Sequence, residues 1–359
     1  MKLRISLVVV SCLLSIITGL VLARGGSSGA SAPGRVRPVI GLSMDTLKEE
    51  RWQGDRDMFV KRAQELGADV EVLSANSDDS RQIRDVETLI TKRVDALVII
   101  PHDGAAMAKA VNLAHDAGIP VLAYDRLITG CDLDIYMTFD NVKVGELQAR
   151  YLVEKLGLGG GEKKRLVRVY GSKTDNNAFL FKQGQDNVLQ PLITAGQVEV
   201  VHEDWAQDWR PENAKKIANA AITKAAATAA ALPFDALLAS NDGTAGGAIQ
   251  ALTEEGLAGK ILVTGQDAEL AACQRIVAGT QAMTIYKPLS RLANQAAELA
   301  VRLAQRRPVI ARAEIDNAQT KVPSVLLDVI SVTKENIDDT VVKDGFHPRE
   351  AIYRGVAAP

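Results

Sequence analysis

Polar and aromatic side chains recur in this 359-residue chain just after short β-branched apolar runs. Met44-Asp45 follows the first run, with Arg51 and Trp52 shortly beyond; Asp125-Arg126 follows the fourth, and Asp175, Asn176 and Asn177 come soon after Tyr170. Later runs lead into Trp205 and Trp209, Asn241-Asp242, Gln266-Asp267 and Lys287. In an open parallel sheet the positions beyond the carboxyl ends of the strands form the ligand crevice, so these side chains would converge. Carboxylates, amides and guanidinium groups are forked partners that bridge vicinal hydroxyls, and an indole covers the apolar C–H face of a pyranose. Asp125, Asp175 and Asp267 are offset by Arg51, Arg126 and Lys287, which suits a neutral polyol in a desolvated cleft.

Each residue also has a plainer role. Asp or Asn at a strand-to-helix junction is often an N-cap, and Asn177 and Asp242 both fit that description. Arg126 beside Asp125 fits a surface pair, Trp52 a core residue, and Lys287 before Pro288 a turn residue. One junction alone favours the plain role; recurrence at one sheet edge favours a site. Competing chemistry finds less support. Gly159-Gly160-Gly161 lacks the Lys-Ser or Lys-Thr of a phosphate loop, GxGxxG is missing after the first run, and neither HExxH nor a GxSxG elbow occurs. A glycosidase-like carboxyl pair is disfavoured because neighbouring Arg and Lys lower carboxyl pKa values and make a general acid harder to form. Binding without catalysis, metal or cofactor is the expectation.

The elements that must position these groups alternate. Strands are expected over 39–43, 70–73, 96–100, 121–124 and 135–139, with helices over 58–66, 80–92 and 105–117, the last stopped by Gly118 and Pro120. The alternation restarts with strands over 166–170, 198–202, 236–239, 261–264 and 283–286, and an Ala-rich helix over 213–230. A further strand-like run covers 325–332. This order predicts an α/β chain of two doubly wound parallel-sheet lobes with a ligand cleft between them.

Composition agrees with a large folded protein: 47% of residues are hydrophobic, and 42 basic and 44 acidic residues are spread without single-sign blocks. Nothing in that balance suggests nucleic acid. Lys2 and Arg4 precede an apolar stretch over 5–22, an export signal with a possible cut after Ala23. The stretch is long enough that an uncleaved anchor stays open, and Val10-Ser11-Cys12 is a poorly placed lipoprotein site. Residues 24–37, rich in Gly, Ser and Ala, read as a tether. Cys131 and Cys273 share no CxxC spacing and read as small hydrophobic residues.

Several stretches, in order, carry a likeness: ERWQGDRD, VLAYDR, FDNVKVGELQA, DNNA, SNDGTAGGAIQAL, GLAGK, GQDA, AGTQAMTIYKP and VKDGFH. Over about 40–347 the chain resembles the D-xylose-binding members of the type I periplasmic substrate-binding family, which serve bacterial ABC importers. The resemblance implies sugar contacts from Arg51, Trp52, Asp125, Arg126, Asp175, Asn177, Trp209, Asn241, Asp267 and Lys287. Asp45, Trp205 and Asp242 are weaker candidates, and Asn176 a helix-start residue. It further implies D-xylose or a related monosaccharide as ligand and a membrane permease as partner; the rival reading is a membrane-tethered sensor that presents the sugar to a chemoreceptor or sensor kinase. Segments 37–139 and 287–325 are expected to form the N-terminal lobe, and 140–286 and 326–359 the C-terminal lobe, joined near 139–141, 286–289 and 323–327. Ser172-Lys173-Thr174 departs from the usual lead into DNNA and adds a charge near the expected cleft.

Overall fold

From β1 (Val39–Met44) the chain runs through α1 (Glu50–Glu65), β2 (Asp69–Ser74), α2 (Asp79–Thr91), β3 (Ala96–Ile99), α3 (Ala108–Asp116), β4 (Val121–Tyr124) and β5 (Ile135–Phe139). These five strands are parallel in the order β2-β1-β3-β4-β5. The order reverses between β1 and β3, which opens a crevice at their carboxyl ends. The computed structural model describes residues 37–158, 162–225 and 232–355. The expected signal and tether, the triple glycine and the end of the Ala-rich helix lie outside the described residues.

Beyond β5 come α4 (Asn141–Lys155), β6 (Lys164–Tyr170), α5 (Asn176–Thr194), β7 (Val198–Trp205), α6 (Pro211–Ala225), β8 (Ala236–Ala239), α7 (Asp242–Glu254), β9 (Leu262–Val263) and α8 (Leu270–Ala278). The second sheet, β7-β6-β8-β9, is again parallel and repeats the order of the first four strands. β10 (Thr284–Tyr286) lies alongside β9 through bonds from Ala282 N–H to Val263 O (2.9 Å) and Ile285 N–H to Gly265 O (3.2 Å). Then α9 (Leu289–Ala304) returns to the first sheet, where β11 (Ala313–Asp316) and β12 (Lys321–Leu327) extend its edge beside β5. Finally β13 (Ile330–Val332) pairs antiparallel with β10, and α10 (Arg349–Ile352) is the last element of the described residues.

The sequence dictates this layering. β3, β4 and β8 are apolar at every position and buried throughout, as strands covered on both faces must be. On one face of the first sheet Leu42, Val98, Leu122 and Met137 meet Leu292, Ala296 and Ala300 of α9; on the other Leu97, Ile99 and Ala123 meet Leu89, Ala110 and Ala114. The second sheet is sandwiched likewise, Val167 and Leu237 against Ala214 and Ala248, Leu166 and Leu238 against Leu152 and Leu189. Short polar side chains start the helices: Asp78, Asp140 and Asn241 accept from Arg81, Lys143 and Thr244 N–H.

Several expectations change. The first helix begins at Glu50, not 58, so Arg51 and Trp52 stand in its first turn and not in a loop. β7 runs to Trp205, while β9 shrinks to two residues. The run over 325–332 splits between β12 and β13, which belong to different sheets. Leu326 and Leu327 still pair with Thr138 and Phe139, so the third crossing falls at 328–329. β11 was not anticipated, its Ala313–Asp316 stretch being short and half polar.

Candidate functional site

The ten residues implied by the resemblance line one cavity between the two sheets, with about 360 Å³ of space between atoms, part of it open to solvent. The first lobe contributes through α1 and the turn after β4. Arg51 is buried, its Nη2 donating to Asp125 Oδ2 at 2.8 Å, its Nη1 to Asp267 Oδ1 at 3.2 Å and its Nε to Asp55 Oδ2 at 3.4 Å. Arg126 donates from Nη1 to Asp45 Oδ2 at 2.7 Å and Pro101 O at 3.2 Å, and its Nε lies 3.0 Å from Asp175 Oδ2. Both guanidinium groups approach the Trp52 ring, at 4.1 and 5.2 Å from its centroid, so the indole is fixed by cation–π contact as well as burial.

The second lobe answers from the ends of β6, β8 and β9 and from the 3₁₀ turn before α6. Asp175 accepts from Asn177 N–H through Oδ1 (2.9 Å) and from Trp209 Nε1 through Oδ2 (3.1 Å). Asn177 Nδ2 reaches across to Asp125 O at 3.0 Å, while its Oδ1 accepts from Asn141 Nδ2 at 2.9 Å. Lys287, at the second crossing, is 2% exposed and holds its Nζ 3.0 Å from Asp267 Oδ1. Arg51–Asp267 and Arg126–Asp175 thus clasp the lobes together.

Backbone strain marks the same residues. Asp125, Trp209 and Asp267 have φ of 62°, 57° and 97°, a region that a bulky residue such as Trp rarely enters. The Asp125 carbonyl is held there by Tyr136 OH, Thr138 Oγ1 and Asn177 Nδ2 at 2.8, 2.7 and 3.0 Å. Trp209 is admitted by Gly171, where any Cβ would lie 2.0 Å from its ring.

The electrostatics follow from this pairing. Burial is the largest influence on Asp125 and would raise its pKa, but Arg51, Lys287 and Arg126 together outweigh it and hold the carboxyl below its usual range. Burial wins at Asp175, which is raised against the pull of Arg126. Asp55, behind Arg51 and hydrogen-bonded by Tyr124 OH, is pushed up to about 6 by burial, with Arg51 opposing. Forked charged groups that are mostly paired with one another suit recognition of a neutral, hydroxyl-rich ligand.

The weaker candidates fall outside the cavity wall. Asp45 stands behind Arg126 and beside His102 (3.0 Å). Trp205 stacks on Tyr170 and Phe179, with ring centroids 4.9 and 4.8 Å away. Asp242 is fully buried and takes bonds from Gln281 and Thr284 at 2.7 and 2.9 Å. Exposed Lys173 sets its ammonium 5.6 Å from the Trp205 ring and lies off the cavity wall. The cap role falls on Asp175 and Asn241, not on Asn177 and Asp242, and both caps still line the cavity. Asn176 opens α5 as expected. Sequence reading missed Glu49 and Phe181 as lining residues, while Gln266, named beside Asp267, lines the cavity too. Phe181 lies one helical turn beyond Asn177, so helical periodicity could have found it.

Comparison with known proteins agrees with this geometry. The family model for the periplasmic binding protein domain matches residues 40–308. The D-xylose-binding periplasmic protein of Haemophilus influenzae is 51% identical over 314 residues, 88% of this chain and 92% of that protein. Its Escherichia coli counterpart is 50% identical over 308 residues, 86% and 90% of the two chains. A carbohydrate transporter solute-binding protein from Chloroflexus aurantiacus, solved with D-glucose, superposes with a TM-score of 0.80 at 32% identity, covering 88% of this chain and 98% of that one. With its two doubly wound lobes and the cavity between them, this chain belongs to the periplasmic binding protein family.

Proposed function

We propose that the chain binds D-xylose between its lobes outside the cytoplasm and delivers it, chemically unchanged, to the permease of an ABC importer. The reading is carried by one observation: Arg51, Asp125 and Arg126 of the first lobe and Asp175, Asn177 and Asp267 of the second meet at one cavity. Trp52 and Trp209 line the same cavity and offer flat apolar surface to a pyranose ring. The relatives bearing D-xylose in their names are about half identical over nearly the whole chain, which supports this sugar over others. Export by the Lys2–Leu22 segment belongs to the same proposal.

A thermal-shift panel of monosaccharides tests it. A ligand bound only by the folded state stabilises by about 2.7 kcal/mol at a hundred times its Kd. D-xylose should therefore raise the melting temperature by several degrees, and by more than epimers such as D-lyxose. Indifference to every monosaccharide at millimolar concentration would sink the proposal.

A further inference from the structure

Two acceptor atoms in the cavity wall stand apart from its network of pairs. Glu49 Oε2 and Gln266 Oε1 are shielded from solvent, and neither accepts a hydrogen bond among the described residues. Buried polar atoms without partners are uncommon, and acceptors placed at a ligand cavity call for donors from the ligand. Gln266 is otherwise engaged, its Nε2 donating to Ser240 O at 3.3 Å. Glu49 is not. It occupies the N-cap of α1 but makes no side-chain cap bond, so its carboxylate serves the cavity and not the helix. The three aspartates of the wall each have a cationic partner within 3.2 Å, and Glu49 is the fourth acid beside three bases. Burial weakens its acidity, with the field of Arg126 opposing.

Position says which part of a ligand it would meet. Glu49, Trp209 and Asn241 line both the cavity and the outer groove between the lobes, so Glu49 stands at the mouth. A substituent projecting from a ring seated between Arg51 and Arg126 toward the groove would pass this carboxylate. A pentopyranose has no exocyclic carbon, whereas a hexopyranose carries a hydroxymethyl arm that ends in a donor. We propose that Glu49 is a specificity residue whose free carboxylate oxygen accepts from the exocyclic hydroxyl of a hexose, extending the site from xylose to hexoses. This inference rests on the reading of the cavity as a sugar site.

Isothermal titration of the parent, Glu49→Leu and Glu49→Gln with D-xylose, D-glucose and 6-deoxy-D-glucose tests it. The parent should bind D-glucose as well as D-xylose. Losing a hydrogen bond to a charged group should lower the glucose-to-xylose affinity ratio of Glu49→Leu by roughly ten- to hundredfold. Glu49→Gln, which keeps one acceptor, should lose less, and the 6-deoxyglucose-to-xylose ratio should stay level in all three proteins. Equal losses for xylose and glucose, unchanged ratios, or a parent that binds xylose and refuses glucose would each overturn the assignment. A parent that binds none of the three sugars would overturn the sugar-site reading beneath it.

Discussion

Arg126 shows why single residues in this site carry two duties. It bonds Asp45 and approaches Asp175 at 3.0 Å, so removing it leaves two buried carboxylates short of a partner as well as any sugar hydroxyl. Arg126→Ala should weaken xylose binding by about 2 to 5 kcal/mol. The same change should lower the melting temperature without sugar, because breaking a buried pair from one side is itself destabilising. Asp267→Asn, which keeps shape and one acceptor, should be milder than Asp267→Ala. Titration calorimetry showing parent-like binding by both alanine variants would remove these residues from the site. Asp55 has a different signature. Its folded pKa, pushed up to about 6 by burial, lies above the ordinary 3.8, so the native state holds a proton that the unfolded chain releases. Stability from this group therefore falls as pH rises from about 4 to about 6, by up to about 3 kcal/mol. Urea unfolding across that range should show the parent losing stability relative to Asp55→Asn, and parallel curves would contradict the shift.

Elements deliver these residues by close approach. α4 and α5 cross where Gly145 and Gly184 face each other; a Cβ on Gly184 would lie 2.0 Å from Val142 O, and one on Gly145 the same distance from Phe181 O. α5 carries Asn177 and Phe181 into the cavity, and α4 carries Asn141, which bonds Asn177. Gly184→Ala should separate the helices, cost roughly 1 to 3 kcal/mol of stability in denaturant unfolding, and weaken sugar binding with it. A variant as stable as the parent would show that the crossing yields freely. Sequence periodicity made β4, β5 and β8 legible to the residue, because strands buried on both faces leave apolar runs, broken here only by Thr138 of β5. It failed at the start of α1, where Arg51, Trp52 and Asp55 are buried polar or aromatic residues placed for the cleft, and amphipathic spacing does not describe them. It failed again between β12 and β13, since only the fold decides that two adjacent strands join different sheets. The ten candidate residues could be named because most of them follow strand ends, a fixed address in this architecture, and because the motifs around them carry the family resemblance. Glu49 has no such address, being a neighbour of Arg51 distinguished only by where its carboxylate points.

At the scale of the molecule, the lobes are joined by three crossings at 139–141, 286–289 and 328–329, and across the cleft by Arg51–Asp267 and Arg126–Asp175. Three segments of backbone crossing between the sheets would serve as a hinge, letting the lobes separate without breaking either core. Whether they separate without sugar is a matter of small differences. Each cross-lobe pair gains Coulomb attraction on closing and pays desolvation of comparable size, so the clasp alone leaves open and closed forms near balance. A sugar that bonds both lobes adds free energy only to the closed form, and a few kcal/mol is enough to reverse the populations. Small-angle scattering should accordingly give a smaller radius of gyration with saturating D-xylose than without. The double variant Asp175→Asn, Asp267→Asn weakens the clasp and should be the more open of the two proteins when sugar is absent. If the parent does not contract but the double variant is larger, the clasp already closes the sugar-free protein. If neither sugar nor the double substitution changes the scattering, the three crossings do not act as a hinge and the sugar must enter a cleft of fixed width.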